Sequence, residues 1–201
     1  MTQRTILAGP SPQVFVYAGA NVAVQGVEGE QITAETHDFW GLKVERRKNT
    51  FKVKIGGSGQ VQIPFRSNLK VYAGKNADLR AIQGDVTLYA GLHAHLREIG
   101  RIAHVSAGGV MDLDCLAVIS NELKLEAGGD LTCHIRDLTS ARIKVKDLGG
   151  FWEARIGDGR VHLTLKAGGD VILVTDQKVE PLPPDYILGK IIRPHLSEDS
   201  L

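Results

Sequence analysis

Apolar and polar residues alternate along most of the chain. In Leu163–Ala167 the apolar residues are separated by Thr164 and Lys166, and the same alternation occurs at 86–90 and 123–127. A period of two places successive side chains on opposite faces of a strand. The chain is therefore predicted to be all-β, built from strands that bury one face.

A short motif recurs within this pattern: an apolar residue, any residue, alanine and glycine. Its copies end at Gly19, Gly74, Gly91, Gly108, Gly128 and Gly168, and Leu148–Gly149 is a degraded copy between the last two. From Gly74 onward the copies follow one another at steps of about 17 to 21 residues, whereas helical-pair repeats are longer, at roughly 33 to 47 residues. The short period predicts a single-stranded β-solenoid (β-helix) with coils of about 17–21 residues.

The glycine of each copy has a predicted role as a corner. A chain that bends sharply in a narrow coil favours a residue that tolerates positive φ and has no Cβ. The preceding alanine is expected to point into the cramped inside of the bend. The low aromatic content of 5% is consistent with a thin core filled by Val, Leu, Ile and Ala.

The chain divides into three predicted regions. Residues 1–66 form a strand-rich cap region with a hairpin, whose strands lie at 42–45 and 51–55. Residues 67–177 form the β-solenoid coils. Residues 178–201 contain a Pro-rich spacer and a tail that either caps its own solenoid or docks on a neighbouring chain. The predicted interaction residues of the tail are Tyr186, Ile187, Leu188, Ile191 and Ile192.

Charge and composition narrow the range of partners. The 201 residues include 24 Lys or Arg and 23 Asp or Glu, a formal net charge of +1. The chain as a whole therefore has no electrostatic attraction to nucleic acid, and no nucleic-acid partner is expected. No apolar run approaches the roughly 20 residues of a spanning helix, so direct membrane insertion is not expected either. Cys115 and Cys133 are too few for a disulfide scaffold.

Glycine–aspartate steps carry a resemblance to a known family. Gly84–Leu88, Gly129–Cys133 and Gly169–Leu173 have the form Gly-Asp-apolar-x-apolar, and they follow an apolar-x-apolar-Pro step at Val61–Pro64. On these motifs the run from residue 14 to about residue 175 resembles the bacterial putative-adhesin family DUF4097, which is a β-solenoid family. Bactofilins, cytoskeletal solenoids with coils of similar length, are the second resemblance. Both imply a solenoid fold, and neither family has a catalytic motif to transfer.

Two histidines on one strand face are the candidate metal ligands. His93 and His95 lie two residues apart, and the repeat register places His95 between Asp78 and Asp112 of adjacent coils. Imidazole and carboxylate groups together bind Zn²⁺. The alternative is a solvated surface on which His95 offsets two carboxylates.

Two other charged groups also have two interpretations each. The register predicts a row of Arg80, Arg97, Asp114 and His134, which is either an anion site or a salt-bridged face. A basic cluster either contacts a polyanion or forms a solvated hairpin tip, and no aromatic residues interleave it as single-strand binders require. Its members are Lys43, Arg46, Arg47, Lys48, Lys52 and Lys54.

The sequence contains no nucleophile elbow and no Gly-x-x-x-x-Gly-Lys-Ser/Thr phosphate loop. We therefore expect a non-enzymatic protein without a cofactor. Its leading expected function is structural self-association into a homo-oligomer or filament. The alternatives are an adhesin-like binding module that presents its outer ladders to a protein, glycan or envelope component, and a metal-binding protein at His93 and His95.

The first ten residues bear on localisation. They lack the apolar stretch of a secretory signal, which favours a cytoplasmic protein. A secreted or cell-surface location is the alternative if a leader has been removed.

Overall fold

The computed structural model describes residues 1–38, 41–118 and 122–181. Every regular element in these ranges is a β-strand, so the all-β prediction is confirmed. The strands are β1 (Thr2–Leu7), β2 (Gln13–Ala18), β3 (Val22–Val27), β4 (Gln31–Thr36), β5 (Leu42–Arg47), β6 (Thr50–Ile55), β7 (Gly59–Pro64), β8 (Asn68–Ala73), β9 (Ala77–Ala90), β10 (Ala94–Ala107), β11 (Met111–Val118), β12 (Glu122–Ala127), β13 (Leu131–Ile135), β14 (Ala141–Asp147), β15 (Gly150–Ile156), β16 (Val161–Ala167), β17 (Val171–Val174) and β18 (Glu180–Pro181).

The strands form one mixed sheet that contains two ladders of hydrogen-bonded neighbours. The first ladder has the order β5-β6-β2-β8-β9-β10-β12-β16-β14-β15. The second has the order β1-β4-β7-β3-β9-β10-β11-β13-β17. β9 and β10 have 14 residues each, so each strand contributes to both ladders. The buried side chains of both ladders form one core, consisting mostly of Val, Leu, Ile and Ala.

Most neighbours in the two ladders are parallel and keep a regular register. Ala77 pairs with Ala94, and Ala94 pairs with Met111, so equal steps along the chain separate these partners. The step is slightly longer from Met111 to Leu131, and it doubles from Leu131 to Val171. Equivalent side chains of successive layers therefore lie beside one another, about 4.8 Å apart.

Contact between layers, rather than backbone conformation, requires glycine at the corners. None of the corner glycines has a positive φ, which corrects the expectation that the corner uses the left-handed region. A Cβ on Gly91 would overlap the carbonyl oxygen of Gly74, and a Cβ on Gly108 would overlap that of Gly91. The amide of Gly91 also donates to the carbonyl of Ala73, at 3.0 Å. Backbone lies directly on backbone here, so a residue without a side chain is needed.

The order of the layers departs from the order of the chain at the amino-terminal end. β2 lies between β6 and β8, and β3 lies between β7 and β9. The early corner Gly19 accordingly lies between Gly56 and Gly74. The first copy of the motif is therefore in an internal layer, and the four strands β4 to β7, which follow β3 in sequence, lie on its outer side.

The carboxyl-terminal end contains a second departure. The expectation that Leu148–Gly149 is a degraded corner is wrong, because these residues form the turn of an antiparallel hairpin between β14 and β15. β12 pairs directly with β16, and β14 lies on the outer side of β16. Gly168 consequently lies against Gly128, although the whole hairpin lies between these two glycines along the chain.

Antiparallel strands end the first ladder on both sides. β5 and β6 form the predicted hairpin, and β15 pairs with β18 at the opposite end. Lys43, Glu45 and Arg47 lie along edge strand β5, and charged residues there discourage pairing with another chain. Strands from 1–66 and from 67–177 share one sheet, and the boundary between these regions remains a prediction. The predicted interaction residues of the tail lie outside the described residues.

Candidate functional site

The predicted row around His95 is present in the strand register. His95 pairs with Asp78 of β9 and with Asp112 of β11. His93 lies just before β10 and forms hydrogen bonds to both neighbouring layers. Its amide donates to Asn76 Oδ1 at 3.2 Å, and its Nδ1 accepts the amide of Val110 at 3.1 Å.

His93 thereby continues a row of side chains that accept backbone amides. Asn21 Oδ1 accepts the amide of Asn76 at 3.3 Å, in the same manner as His93 accepts that of Val110. An Nδ1 that accepts a hydrogen bond leaves the proton of neutral imidazole on Nε2, where it blocks metal coordination. Within the described residues no group of three His, Cys, Asp or Glu side chains has a metal-binding arrangement. The geometry of His93 favours a structural role over metal ligation, the less favoured of the two interpretations of this histidine pair.

A cavity of about 500 Å³ brings several of the candidate ligands together. His93, His95 and Asp78 line it, and they are joined by His37 and Asp38 from the turn after β4. Asp112, the fourth candidate, is not among the lining residues. The Asp38 carboxylate accepts the amide of Ser58, and Asp78 accepts two hydrogen bonds from Arg80, at 3.1 and 3.0 Å. These two carboxylates therefore already have protein partners.

The predicted arginine row is mostly a salt-bridged face. Arg80 pairs in register with Arg97, and Asp114 pairs in register with His134. A register shift after Leu96 interrupts the expected alignment of Arg97 with Asp114. Asp114 instead accepts two hydrogen bonds from Arg136, at 3.1 and 2.7 Å.

A row of tyrosines crosses the first ladder near the glycine corners. Tyr17 and Tyr72 have ring centroids 5.2 Å apart with an interplanar angle of 6°, and Tyr72 and Tyr89 have centroids 5.0 Å apart at 7°. His104 continues the row, 5.1 Å from Tyr89 and tilted by 40°. Burial lowers the pKa of His104, so its ring is largely neutral at neutral pH. The separation of the tyrosines is typical of offset-stacked rings.

The tyrosine row forms one wall of an open groove of about 1090 Å³. The corner glycines, including Gly74 and Gly91, also line the groove, and Lys43 and Lys54 lie at its amino-terminal end. Lys70 lies beside the row, with its Nζ 5.4 Å from the centroid of Tyr72 and 5.7 Å from that of Tyr89. Hydrogen bonding to Tyr72 is the main cause that raises the pKa of Lys70. A positive charge is thus held against the aromatic rings.

Three carboxylates on the outer face of this ladder are each shared between two cations. Glu45 lies 2.6 Å from Lys43 and 3.6 Å from Lys54. Glu126 and Glu153 repeat the arrangement, the first with Lys124 and Lys166 and the second with Arg142 and Lys144. Each trio therefore keeps one excess positive charge. Three further lysines on this face have no ion pair with any described residue: Lys52, Lys70 and Lys146.

We call the outer side of the first ladder the lysine–tyrosine face. Its outward positions include twelve Lys or Arg residues: Lys43, Arg47, Lys52, Lys54, Lys70, Arg101, Lys124, Arg142, Lys144, Lys146, Arg155 and Lys166. They include six acidic residues: Glu45, Asp85, Glu122, Glu126, Glu153 and Glu180, the last of which lies 3.8 Å from Arg155. The outer side of the second ladder has the opposite balance, with three arginines against five acidic residues: Arg80, Arg97 and Arg136 against Glu35, Asp78, Asp112, Asp114 and Asp176. The net charge of +1 therefore conceals two faces of different sign.

Aromatic residues do accompany the basic cluster in space. Phe15 pairs in register with Lys52 on one side and Lys70 on the other, and Tyr17 pairs with Lys54. This corrects the expectation that no aromatic residues interleave the cluster. The sequence separates them because β3, β4 and β5 lie between β2 and β6 along the chain. Only the layer order places β2 and β6 side by side.

Sequence reasoning overlooked the tyrosine row, although a signal for it exists. Tyr17, Tyr72 and Tyr89 each occupy the position before alanine in a copy of the Ala-Gly motif. The common register of Tyr72 and Tyr89 follows directly from the repeat. Tyr17 joins the row only because β2 lies next to β8, and that neighbourhood is not apparent from the spacing.

Comparisons with known proteins find only distant likenesses. No protein-family model matches the chain, and no curated protein matches it. Among solved structures, the chain is similar to a putative cell adhesion protein from Clostridium sporogenes, with 10% identity, a TM-score of 0.40, and coverage of 87% of this chain and 98% of that one. It is also similar to a putative adhesin from Bacteroides fragilis, with 12% identity, a TM-score of 0.31, and coverage of 86% and 95%. Both are too distant to assign a family or a function.

The described ranges also contain no helix of the length and apolar character needed to cross a membrane.

Proposed function

We propose that the protein is a non-enzymatic binding module whose strands form a β-solenoid and whose lysine–tyrosine face takes an elongated ligand. Parallel partners at regular offsets along the chain, the stacked corner glycines and the shared core support the solenoid. Coils stacked in this way repeat outward side chains at a constant spacing. Such a surface suits a ligand that is itself extended.

The tyrosine row is the observation that carries this function. Three rings with the same orientation follow one another along the stacking direction, beside an open groove rather than a closed pocket. Tyr89 remains 37% exposed, although burial of its ring would favour folding. Aromatic residues with one apolar and one polar end are enriched where proteins bind partners. The row therefore has the composition and the shape of a contact surface.

A polymer-binding screen tests the proposal. Purified protein is run through native gels that contain one dissolved polymer each: alginate, hydroxyethyl cellulose or single-stranded poly-dT. We expect retardation by at least one polymer and loss of retardation in Tyr72→Ala, because this change interrupts the row at its centre. Lys178→Ala, an exposed change outside the strands, is the control and should be retarded as the parent is. Unretarded migration in all three gels would contradict the proposal.

Self-association is the second candidate function, and the edge of β17 favours it. Ile172 is 47% exposed and Val174 is 42% exposed on this short strand. Among the described residues, β17 pairs only with β13, so its other edge has no described strand partner. An unprotected apolar edge can pair with another chain. The interaction residues predicted in the tail, 186–192, would then contact a neighbouring copy or cover this edge.

Light scattering after size exclusion tests this second function. We expect the full chain to form an assembly larger than a monomer, and a variant with Ile172→Lys and Val174→Lys to dissociate. A second variant, truncated after residue 181, removes the tail but keeps β17, and so separates the role of the tail from that of the β17 edge. A monomeric full-length protein whose mass is unchanged by either alteration would contradict self-association.

A further inference from the structure

We propose that the ligand of the lysine–tyrosine face is an anionic polysaccharide, a chain of sugars that carries carboxylate groups. This inference rests on the binding function proposed above and assigns a ligand class to the same surface. The face combines excess positive charge with a row of phenol hydroxyls. A carboxylated sugar chain offers both complementary groups, anions and hydroxyls, in a repeating order.

The charge of the face selects an anion. Twelve cations are opposed by six carboxylates, and three of those carboxylates are already shared between two cations each. Lys52, Lys70 and Lys146 have no described acidic partner and lie at intervals along the ladder. Like charges on one surface raise the local potential and attract a polyanion, in a manner that salt weakens. A neutral ligand would not neutralise this excess positive charge.

The stacking of the tyrosines argues for sugars over single-stranded nucleic acid. Proteins bind single strands by stacking bases on exposed aromatic faces. Here the faces of Tyr17, Tyr72 and Tyr89 contact one another, with interplanar angles of 6° and 7°. The ring edges and hydroxyls are left to contact a ligand. The cations are mainly lysines, which act as single point charges rather than as forks for phosphate.

The hydroxyls of the row supply hydrogen bonds to sugar oxygens. Among the described residues, neither Tyr17 nor Tyr89 uses its hydroxyl in a hydrogen bond, and the hydroxyl of Tyr72 has Lys70 as its partner. Ser106 lines the far end of the same groove. Hydroxyls both donate and accept, as sugar hydroxyls do. A chain that lies along the groove therefore meets a polar group in successive layers.

Affinity electrophoresis tests the ligand class, with alginate as the carboxylated polysaccharide, hydroxyethyl cellulose as the neutral one and poly-dT as the nucleic acid. The variants are Lys70→Glu and a triple Tyr→Phe change at Tyr17, Tyr72 and Tyr89, which keeps the rings and removes the hydroxyls. Arg97→Glu is the matched control, because it makes the same charge change on the second ladder. Thermal unfolding monitors the fold of each variant.

We expect alginate to retard the parent most strongly, and added salt to reduce the effect. Lys70→Glu should weaken alginate binding by about three- to tenfold, the triple variant should weaken it at unchanged charge, and Arg97→Glu should not weaken it. Preferential binding of hydroxyethyl cellulose, lost in Tyr72→Ala, would overturn the ligand class and leave the binding function standing. Preferential binding of poly-dT would overturn the ligand class in favour of nucleic acid. Absence of binding to all three would overturn both proposals.

Discussion

Replacement of a corner glycine by alanine gives a quantitative test of the stacked layers. In Gly91→Ala the added Cβ would overlap the carbonyl oxygen and carbon of Gly74. These are backbone atoms, so they cannot move aside as a flexible side chain could. The two layers must separate locally, which also stretches the hydrogen bond from the Gly91 amide to the carbonyl of Ala73, 3.0 Å long.

Overpacking of this kind costs about 1–3 kcal/mol of unfolding free energy. In a chain of this length, that corresponds to about 2–12 °C in melting temperature. The assay is urea unfolding followed by far-UV circular dichroism. Gly149→Ala is the matched control, because Gly149 has no positive φ and its Cβ would approach only the Asp147 carboxylate, at 3.3 Å. Equal stability of Gly91→Ala and Gly149→Ala would refute the role assigned to the corners.

Particular residues give four further predictions. Ala81 has a φ of 55° within β9, so Ala81→Gly should raise the unfolding free energy by about 0.5–1 kcal/mol, measured by urea unfolding. His93→Ala should lower the unfolding free energy by about 0.5–1 kcal/mol, whereas His93→Asn should leave it unchanged. Elemental analysis should find no zinc in the parent. Zinc that is present in the parent and lost in both variants would support metal binding instead. Burial raises the pKa of Cys115 to about 12, so its thiol should react with a neutral-pH alkylating reagent only after unfolding. Burial lowers the pKa of His104 from 6.5 in the folded protein. As the pH drops through about 6.5, the unfolded chain therefore protonates this histidine before the folded chain does, and the stability should fall. Melting curves of His104→Gln should show a weaker dependence of the melting temperature on pH.

The stacking of the central layers could be predicted from the sequence. The Ala-Gly motif and the alternation around it give the register of β9, β10 and β11, because a fixed step along the chain aligns equivalent positions. The row of Asp78, His95 and Asp112 follows from the same step. Residue spacing is sufficient to predict the register wherever the next layer of the sheet is also the next segment of the chain.

The ends of the stack could not be predicted in this way. β2 reaches β6 and β8, and β12 reaches β16, by pairings that skip intervening strands. Such pairings depend on the arrangement of all the strands in the sheet, which no local sequence pattern records. Leu148–Gly149 resembles a corner in sequence, but the antiparallel pairing of its flanking strands makes it a hairpin turn.

The lysine–tyrosine face could not be predicted from the sequence for the same reason. Basic residues of β5 and β6 and aromatic residues of β2, β8 and β9 lie far apart in sequence and meet only in the first ladder. A net charge of +1 averages over two faces of different sign. The spacing of His93 from His95 suggests a pair of metal ligands, whereas the Nδ1 of His93 accepts the backbone amide of Val110 in the next layer. A contact with the backbone leaves no trace in residue spacing.

The most direct test of the central claim is the length dependence of binding, measured by calorimetric titration with alginate oligosaccharides of increasing length. The groove extends from Lys43 on β5 to Ser106 on β10, which is about 24 Å at the spacing of adjacent strands. We predict that affinity rises with each added sugar until the oligosaccharide spans that distance, and rises little beyond it. Affinity that is already complete for a single sugar, or no measurable binding at any length, would contradict an elongated anionic-polysaccharide site on this face.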